Sequence, residues 1–165
     1  MDYELQEAIK VMKEAGELNN TLIIITGDNG MPFPRAKASL YDAGTRQPFI
    51  VMWADQIKPG RISNEQVSLV DIAPTFLDAA NAQTSEIMHG KSLLPYLIND
   101  EPLNRPFING GRERHGYDAR PNHGGYPVRT LRDGQYLLIH NFRPDRWPGG
   151  DPVSYTHLTL PTTSR

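Results

Sequence analysis

Asp28 and Asn29 bring a carboxylate and a carboxamide together directly after an apolar run. They lie in Thr-Gly-Asp-Asn-Gly, residues 26–30, and the run occupies residues 22–25. A run without polar alternation favours a strand buried on both faces of a parallel sheet, and ligands bind at the carboxyl ends of such strands. Two oxygen donors between glycines that permit tight turns suit a divalent cation. The alternative is that Asp-Asn-Gly forms only a turn, since Asx-Gly sequences are common in turns.

Cationic side chains follow in residues 31–44, a stretch with two prolines and no clear period. This composition predicts a loop at the ligand-binding end of the sheet. Lys37 lies within it, and its ammonium group would hold an anion as a compact point charge. The alternative for Lys37 is a solvated loop lysine. Arg35 and Arg46 would add positive charge with less specific placement.

Composition limits the other classes of function. The chain has 165 residues, enough for one buried core, and a formal net charge of −2. That charge gives no broad attraction to nucleic acid or to an anionic membrane, so neither is expected as a partner. The absence of cysteine excludes disulfides, thiolate metal sites and cysteine nucleophiles. The first residues do not have the pattern of a leader peptide, which says nothing about the destination of a longer parent, and no apolar run approaches the length of a membrane span.

The elements that would position these residues begin with a helix. Apolar residues between Leu5 and Ala15 repeat at helical spacing, which predicts an amphipathic helix ending near Gly16. Together with the strand that follows, it forms an αβ unit. Residues 48–53 predict a second buried strand, and residues 58–60 predict a turn.

A second helix is predicted to begin at Asp71, which is a plausible N-cap residue. Pro74 is tolerated in the first turn of a helix, and Ile72, Phe76 and Ala79 would form the apolar face. We therefore interpret Asp71 as structural. His89 is more typical of a structural or exposed histidine than of a ligand.

The C-terminal third changes character at Arg105, after which loops are predicted until Tyr126. Residues 126–142 divide at Asp133-Gly134, a strong hairpin signal. The apolar residues of the two arms would meet across this hairpin and form a small antiparallel sheet. The expected pairs involve Val128 and Leu131 with Leu137 and Ile139.

Several motifs in order resemble the C-terminal part of the sulfatase core, within the alkaline-phosphatase-like superfamily. The likeness is greatest to the branch that contains the sulfamidases, and it extends from about residue 3 to about residue 152. It implies an α/β fold: part of a sulfatase-like sheet with flanking helices at residues 1–98, and a small antiparallel subdomain at residues 99–152. The motifs are residues 26–30, Lys37, residues 40–41, 44–45, 48–50, 70–75 and 89–95.

This resemblance implies calcium-dependent hydrolysis of sulfate esters or N-sulfate groups, with a sulfated carbohydrate as substrate. Asp28 and Asn29 would be calcium ligands, and Lys37 would contact the sulfate group being cleaved. The sulfamidases themselves have arginine at that place, so Lys37 matches the wider family pattern.

Residues 112–115, Arg-Glu-Arg-His, resemble a wall of the substrate pocket in the same branch. There Arg114 and His115 would meet sulfate or carboxylate groups of a sugar. In isolation such a segment is usually a solvated, salt-linked turn. Arg120, His123 and Arg129 are weaker candidates for the same role.

The nucleophile of this family is a formylglycine made within a Cys/Ser-x-Pro-x-Arg motif, and the chain has no such motif. We therefore expect the C-terminal portion of a larger enzyme, inactive by itself. The family is periplasmic, secreted or lysosomal, and the sequence itself assigns no compartment. Residues 153–165 have no hydrophobic period and resemble adapter-derived tails, so a poorly ordered, non-native segment is predicted.

Two alternatives remain open. One is a non-catalytic α/β module that binds a cation or a glycan. The other is a metal-dependent phosphatase or phosphomutase of the same superfamily. Those enzymes usually hold two transition metals with several histidines, and the loop around Asp28 contains no histidine, which disfavours them.

Overall fold

The computed structural model describes residues 2–33, 35–114, 122 and 124–146. The chain divides into two units. The first unit comprises Met1–Ile25 and Phe49–Arg105, and the second comprises Thr26–Pro48 and Pro106–Arg165. The predicted division at residues 98–99 stays a prediction, and the predicted tail at residues 153–165 lies outside the described residues.

Helices and strands alternate in the first part of the described chain, and three consecutive strands end it. Over the described part, no helix combines the length and the apolar character needed to cross a bilayer. In chain order the elements are α1 (Asp2–Glu14), β1 (Ile23–Thr26), α2 (Asp42–Thr45), β2 (Phe49–Met52), α3 (Ile72–Ala79), α4 (Leu94–Asn99), β3 (Ile108–Arg112), β4 (Val128–Arg132) and β5 (Leu137–Asn141), with 3₁₀ turns at Leu18–Asn20 and Leu69–Asp71.

Helix α1 is amphipathic, as its sequence period predicts. Leu5, Ile9 and Met12 are half-buried along one side of the helix, and the other side is exposed. The helix ends at Glu14, and Gly16 follows with a left-handed backbone, φ 76°. Only glycine adopts that conformation without a steric cost, which explains the predicted end near Gly16.

Strands β1 and β2 form a two-stranded sheet at the two predicted positions. The three isoleucines of β1 are half-buried, so the prediction of a strand buried on both faces is wrong for this chain. In the part of the chain that the structure describes, β2 is the only strand paired with β1. Strand β2, predicted as a second buried strand, is also only half-buried, and its Ile50 is exposed.

Helix α3 begins immediately after Asp71, as predicted, but its buried side differs from the predicted apolar face. Pro74 and Thr75 are buried, whereas Phe76 is 44% exposed. The Thr75 hydroxyl donates to the Asp71 carbonyl at 2.6 Å and accepts from the Leu93 backbone N–H at 2.9 Å. Leu93 is 1% exposed. Ile72 and Ala79 of the predicted face are half-buried, so the buried side of α3 combines part of that face with the hydrogen-bonded Thr75 hydroxyl.

The second unit contains a three-stranded antiparallel sheet in the order β3, β4, β5. The predicted hairpin is confirmed: the Asp133 carboxylate accepts from the backbone N–H groups of Gln135 and Tyr136 at 3.0 and 2.7 Å. Those two bonds stabilise the turn and hold the pKa of Asp133 below its usual range.

The predicted contacts across this hairpin are confirmed in part: Val128 lies on the same face as Leu137 and Ile139, but Leu131 does not. Val128 lies opposite Asn141, and Leu131 lies opposite Leu138. Side chains alternate along a strand, so Val128 and Leu131, three positions apart, point to opposite faces. Val128 is buried and Leu131 is exposed.

Strand β3 contradicts the prediction of continuous loops between Arg105 and Tyr126. Its sequence contains Gly110 and Gly111, which give no alternating pattern. A methyl group on Gly110 would lie 2.8 Å from the Thr130 hydroxyl oxygen, and one on Gly111 would lie 2.9 Å from Cδ of Arg129. The glycines therefore permit the close approach of β3 to β4. They also interrupt the alternating pattern by which a strand is predicted from sequence.

Candidate active site

Asp28 and Asn29 lie directly after β1, at the predicted strand end. Asp28 is exposed and Asn29 is half-buried. The Asn29 amide donates a hydrogen bond to Oδ1 of Asp28. The two side chains predicted to share a ligand are therefore in direct contact.

Gly30, the next residue, is buried where three backbone segments meet. A methyl group on Gly30 would lie 2.3 Å from the Ala43 carbonyl oxygen and 2.9 Å from the Ala36 carbonyl carbon and the Gly44 Cα. One on Gly44 would lie 2.4 Å from the carbonyl oxygens of Ala36 and Ser39. No side chain fits at either position. We call Gly30, Ala36 and Gly44 the glycine junction, since it packs the segment after Asn29 against the segment before Lys37.

Lys37 is half-buried in the predicted loop. Its backbone N–H donates to the Met31 carbonyl at 2.9 Å. Arg35 and Ala38, on either side of it, have left-handed backbones with φ 62° and 59°. The predicted loop at residues 31–44 ends earlier than expected, because α2 occupies its last residues.

An ion pair that sequence analysis missed holds α2. Arg132, at the end of β4, donates to the Asp42 carboxylate in the first turn of α2. The Gln47 amide also donates to the Gly44 carbonyl at 3.2 Å. Asp42 and Arg132 are 90 positions apart, so no local pattern could connect them.

The donor chemistry at Asp28 and Asn29 fits a hard divalent cation. Carboxylate and amide oxygens are ligands that Ca²⁺ prefers, and Ca²⁺ usually takes about six to eight of them. Across residues 2–33, 35–114, 122 and 124–146, no three acidic, histidine or cysteine side chains gather in a metal-binding arrangement. These two residues therefore fit such an ion and would supply part of its coordination shell.

The predicted pocket wall is described only in part. Arg114 is exposed directly after β3, and His115 lies outside the described residues, as do Arg120 and His123. Glu113 forms an ion pair with Arg129 of β4. The Arg129 guanidinium also lies 5.7 Å from the centre of the Phe142 ring.

The remaining predicted cations are on the surface. Arg35 and Arg46 are exposed, and His89, interpreted as a structural or exposed histidine, is exposed as well. The roles proposed for Arg35 and Arg46 stay predictions.

Asp71 is the most thoroughly bonded carboxylate of the first unit. It has no exposed surface, and it accepts from the backbone N–H groups of Ser68 at 2.8 Å and Lys91 at 3.0 Å. Both terminal nitrogens of Arg105 donate to it, at 2.6 and 2.8 Å. Asp71 occupies the predicted N-cap position of α3, but its carboxylate closes the turn before α3 and makes no side-chain cap on α3 itself.

The ionisation of this pair follows from its contacts. Burial by itself would raise the pKa of Asp71, but the hydrogen bonds from Arg105, Lys91 and Ser68 hold that pKa below its usual range. The bond to Asp71 raises the pKa of Arg105. Sequence analysis did not identify Arg105, although a buried aspartate requires such a partner.

Comparison with known proteins identifies the family. Residues 1–82 match the model of the sulfatase family. The chain belongs to the sulfatase family. It is 34% identical over 151 residues to N-sulphoglucosamine sulphohydrolase of Homo sapiens, covering 86% of this chain and 29% of that enzyme. The predicted resemblance is thereby confirmed.

Solved structures agree on the fold. A protein in complex with its substrate D-glucosamine-2-N,6-O-disulfate matches 87% of this chain with a TM-score of 0.70 and 28% identity. A phosphonate monoester hydrolase from Silicibacter pomeroyi matches 85% with a TM-score of 0.69 and 25% identity. The matches cover 30% of each of those chains, so this sulfatase-family chain spans less than a third of their length. The predicted α/β fold class is confirmed.

Proposed function

We propose that this chain supplies cation-binding and sulfate-binding residues to a calcium-dependent sulfatase that acts on sulfated glycans. The observation that carries the proposal is the glycine junction. Its backbone contacts hold the segment with Asp28 and Asn29 against the segment with Lys37. An anion can bind between a divalent cation and an ammonium group only if the segments that carry the cation ligands and the lysine lie close to each other.

In this proposal Asp28 and Asn29 would hold a calcium ion through the Asp28 carboxylate and the Asn29 amide oxygen. The bound ion would polarise the sulfate group and offset its negative charge. The Asn29 amide now donates to Asp28, so its oxygen would reach an ion after a rotation of the amide group. The further oxygen ligands come from other residues of the protein.

Lys37 would donate hydrogen bonds from its ammonium group to a sulfate oxygen. The backbone on both sides of Lys37 is constrained, so the base of the side chain has a defined position. The formylglycine nucleophile of the family would come from outside these 165 residues, since the sequence lacks its motif.

The relatives support a sulfated sugar as the substrate class. One is a sulphohydrolase of N-sulphoglucosamine, and another was solved with a glucosamine disulfate. Arg114, exposed beyond β3, and His115 would bind a second anionic group of the same sugar. The bond cleaved is an O-sulfate or an N-sulfate.

The test is made in the full-length gene product with N-sulfated and 6-O-sulfated glucosamine as substrates. We expect Asp28→Ala to weaken calcium binding by calorimetry, and Lys37→Ala to leave calcium binding intact. Each change should lower kcat/KM at least about 100-fold, the cost of a lost charge-stabilising group. Matched controls are Asp55→Ala and Lys58→Ala, two exposed residues of the first unit. Normal activity with normal calcium dependence in Asp28→Ala would rule out the ligand role.

A second candidate is the hydrolysis of phosphonate monoesters. The similarity to a phosphonate monoester hydrolase favours it, because that structure matches nearly as well as the sugar-bound one. The same assay separates the two. A kcat/KM that is higher on an aryl phosphonate than on the sulfated sugars would make this the main activity.

A further inference from the structure

The loop that carries Lys37 contains two backbone bends that are unfavourable for the residues that occupy them. Arg35 and Ala38 have φ values of 62° and 59°. In this region the β-carbon of an L-residue crowds the backbone, so glycine or asparagine usually occupies it. Such strain persists only where the surrounding structure imposes it, and it occurs most often at functional sites.

The surroundings impose it here through a closed ring of contacts. The Ser39 hydroxyl donates to the Arg35 carbonyl at 2.6 Å, so it connects the first bend to the residue after the second. The Ser39 backbone N–H donates to the Ala36 carbonyl at 3.1 Å. Ala36 is 2% exposed and is packed between Gly30 and Gly44. Lys37 is therefore the central residue of a loop fixed at both ends.

We propose that Ala38 is a positioning residue, whose left-handed bend holds Lys37 in the orientation that meets the sulfate group beside Asp28. This inference rests on the proposed function. Alanine has few alternative conformations there, whereas glycine has many. The bend already restricts the backbone beside Lys37. Less conformational entropy is therefore lost when the substrate binds.

The test is Ala38→Gly in the full-length gene product. We expect this change to maintain or raise the unfolding midpoint and to lower kcat/KM. Glycine removes the steric conflict at φ 59°, so the unfolding midpoint should be equal or higher. The loop gains freedom, so kcat/KM on sulfated glucosamine should fall at least about fivefold. The dissociation constant for calcium, measured with calcium chloride alone, should change less than about twofold, because Asp28 and Asn29 are untouched.

The matched control is Asn81→Gly. Asn81 has φ 52°, is exposed, and follows α3 in the first unit. A change to glycine at this left-handed position should leave kcat/KM unchanged. A second variant, Ser39→Ala, removes the hydroxyl that closes the ring, and kcat/KM should fall while calcium binding stays normal.

Three outcomes of the Ala38→Gly measurement decide whether Ala38 is a positioning residue. A lower kcat/KM in Ala38→Gly with an equal or higher midpoint supports the inference. An unchanged kcat/KM overturns it, and so does a fall in kcat/KM together with the midpoint, which is the result of a merely structural role. If Lys37→Ala inactivates the enzyme and Ala38→Gly does not, the inference fails alone. If Lys37→Ala is fully active, the proposed role of Lys37 in sulfate binding is wrong, and the inference about Ala38, which rests on it, is wrong as well.

Discussion

Asp71 and Asp28 lie in opposite environments, one in each unit of the chain. Asp71 has no exposed surface, and Arg105 and two backbone N–H groups donate to its oxygens. Asp28 is exposed at a strand end, where the Asn29 amide donates to it. A carboxylate whose lone pairs are used by its own chain stabilises the fold. One that is presented to solvent beside another oxygen donor is suited to an external ligand.

The backbones around the two aspartates differ in the same way. The Asp71 region is held by hydrogen bonds of ordinary length, such as the 2.9 Å bond from the Leu93 N–H to Thr75. The loop of the second unit contains left-handed bends at Arg35 and Ala38. The first unit also has left-handed residues, at Asn81, Asp100 and Asn104. Two of these are asparagines, which tolerate that conformation, whereas arginine and alanine tolerate it less readily.

The largest expected effect is on stability, from Asp71→Asn. Removing one charge of a buried ion pair leaves Arg105 buried without a compensating carboxylate, and we expect a loss of about 3–5 kcal/mol in the free energy of unfolding. The matched change, Asp28→Asn, should cost less than about 0.5 kcal/mol, as exposed substitutions usually do. Urea denaturation of both variants measures the difference. Similar losses for the two would show that Asp28 is also structural.

Next in size is the dependence of stability on pH. The pKa of Asp71 is lower in the folded state than its ordinary value of 3.8. Its contribution is therefore fully present above pH 3.8, and it is lost as the pH falls through the lower folded pKa. One proton gives a slope of at most about 1.4 kcal/mol per pH unit. Denaturation between pH 2 and pH 5 should show this slope in the native protein, and a smaller slope in Asp71→Asn. Equal slopes would assign the acid sensitivity to another group.

The smallest effect is expected from Arg129→Ala. Its ion pair with Glu113 joins side chains that are 50% and 64% exposed, and such pairs contribute less than about 1 kcal/mol. Arg105→Ala serves as the buried counterpart and should cost several times more. Thermal unfolding of both variants at low and at 0.5 M salt tests this. A large, salt-insensitive loss in Arg129→Ala would mean that the exposed pair also maintains the sheet.

Local patterns in the sequence predicted much of this fold. Apolar spacing located α1, β1 and β2, and Asp133-Gly134 located the hairpin of β4 and β5. These elements depend on interactions between residues close in the chain. Several ordered motifs, among them Thr-Gly-Asp-Asn-Gly and Lys37, predicted the sulfatase family, which the family match confirms.

Tertiary structure decided the rest, because it depends on residues distant in the chain. Strand β3 forms through its pairing with β4. The two strands approach closely because Gly110 and Gly111 have no side chains. The partner of Asp71 lies 34 positions away, and the partner of Asp42 lies 90 positions away. The sequence by itself determined which chemical groups follow β1 and in what order. Only the three-dimensional packing of Gly30 and Gly44 against Ala36 decided that the backbone segment after Asn29 lies against the segment before Lys37.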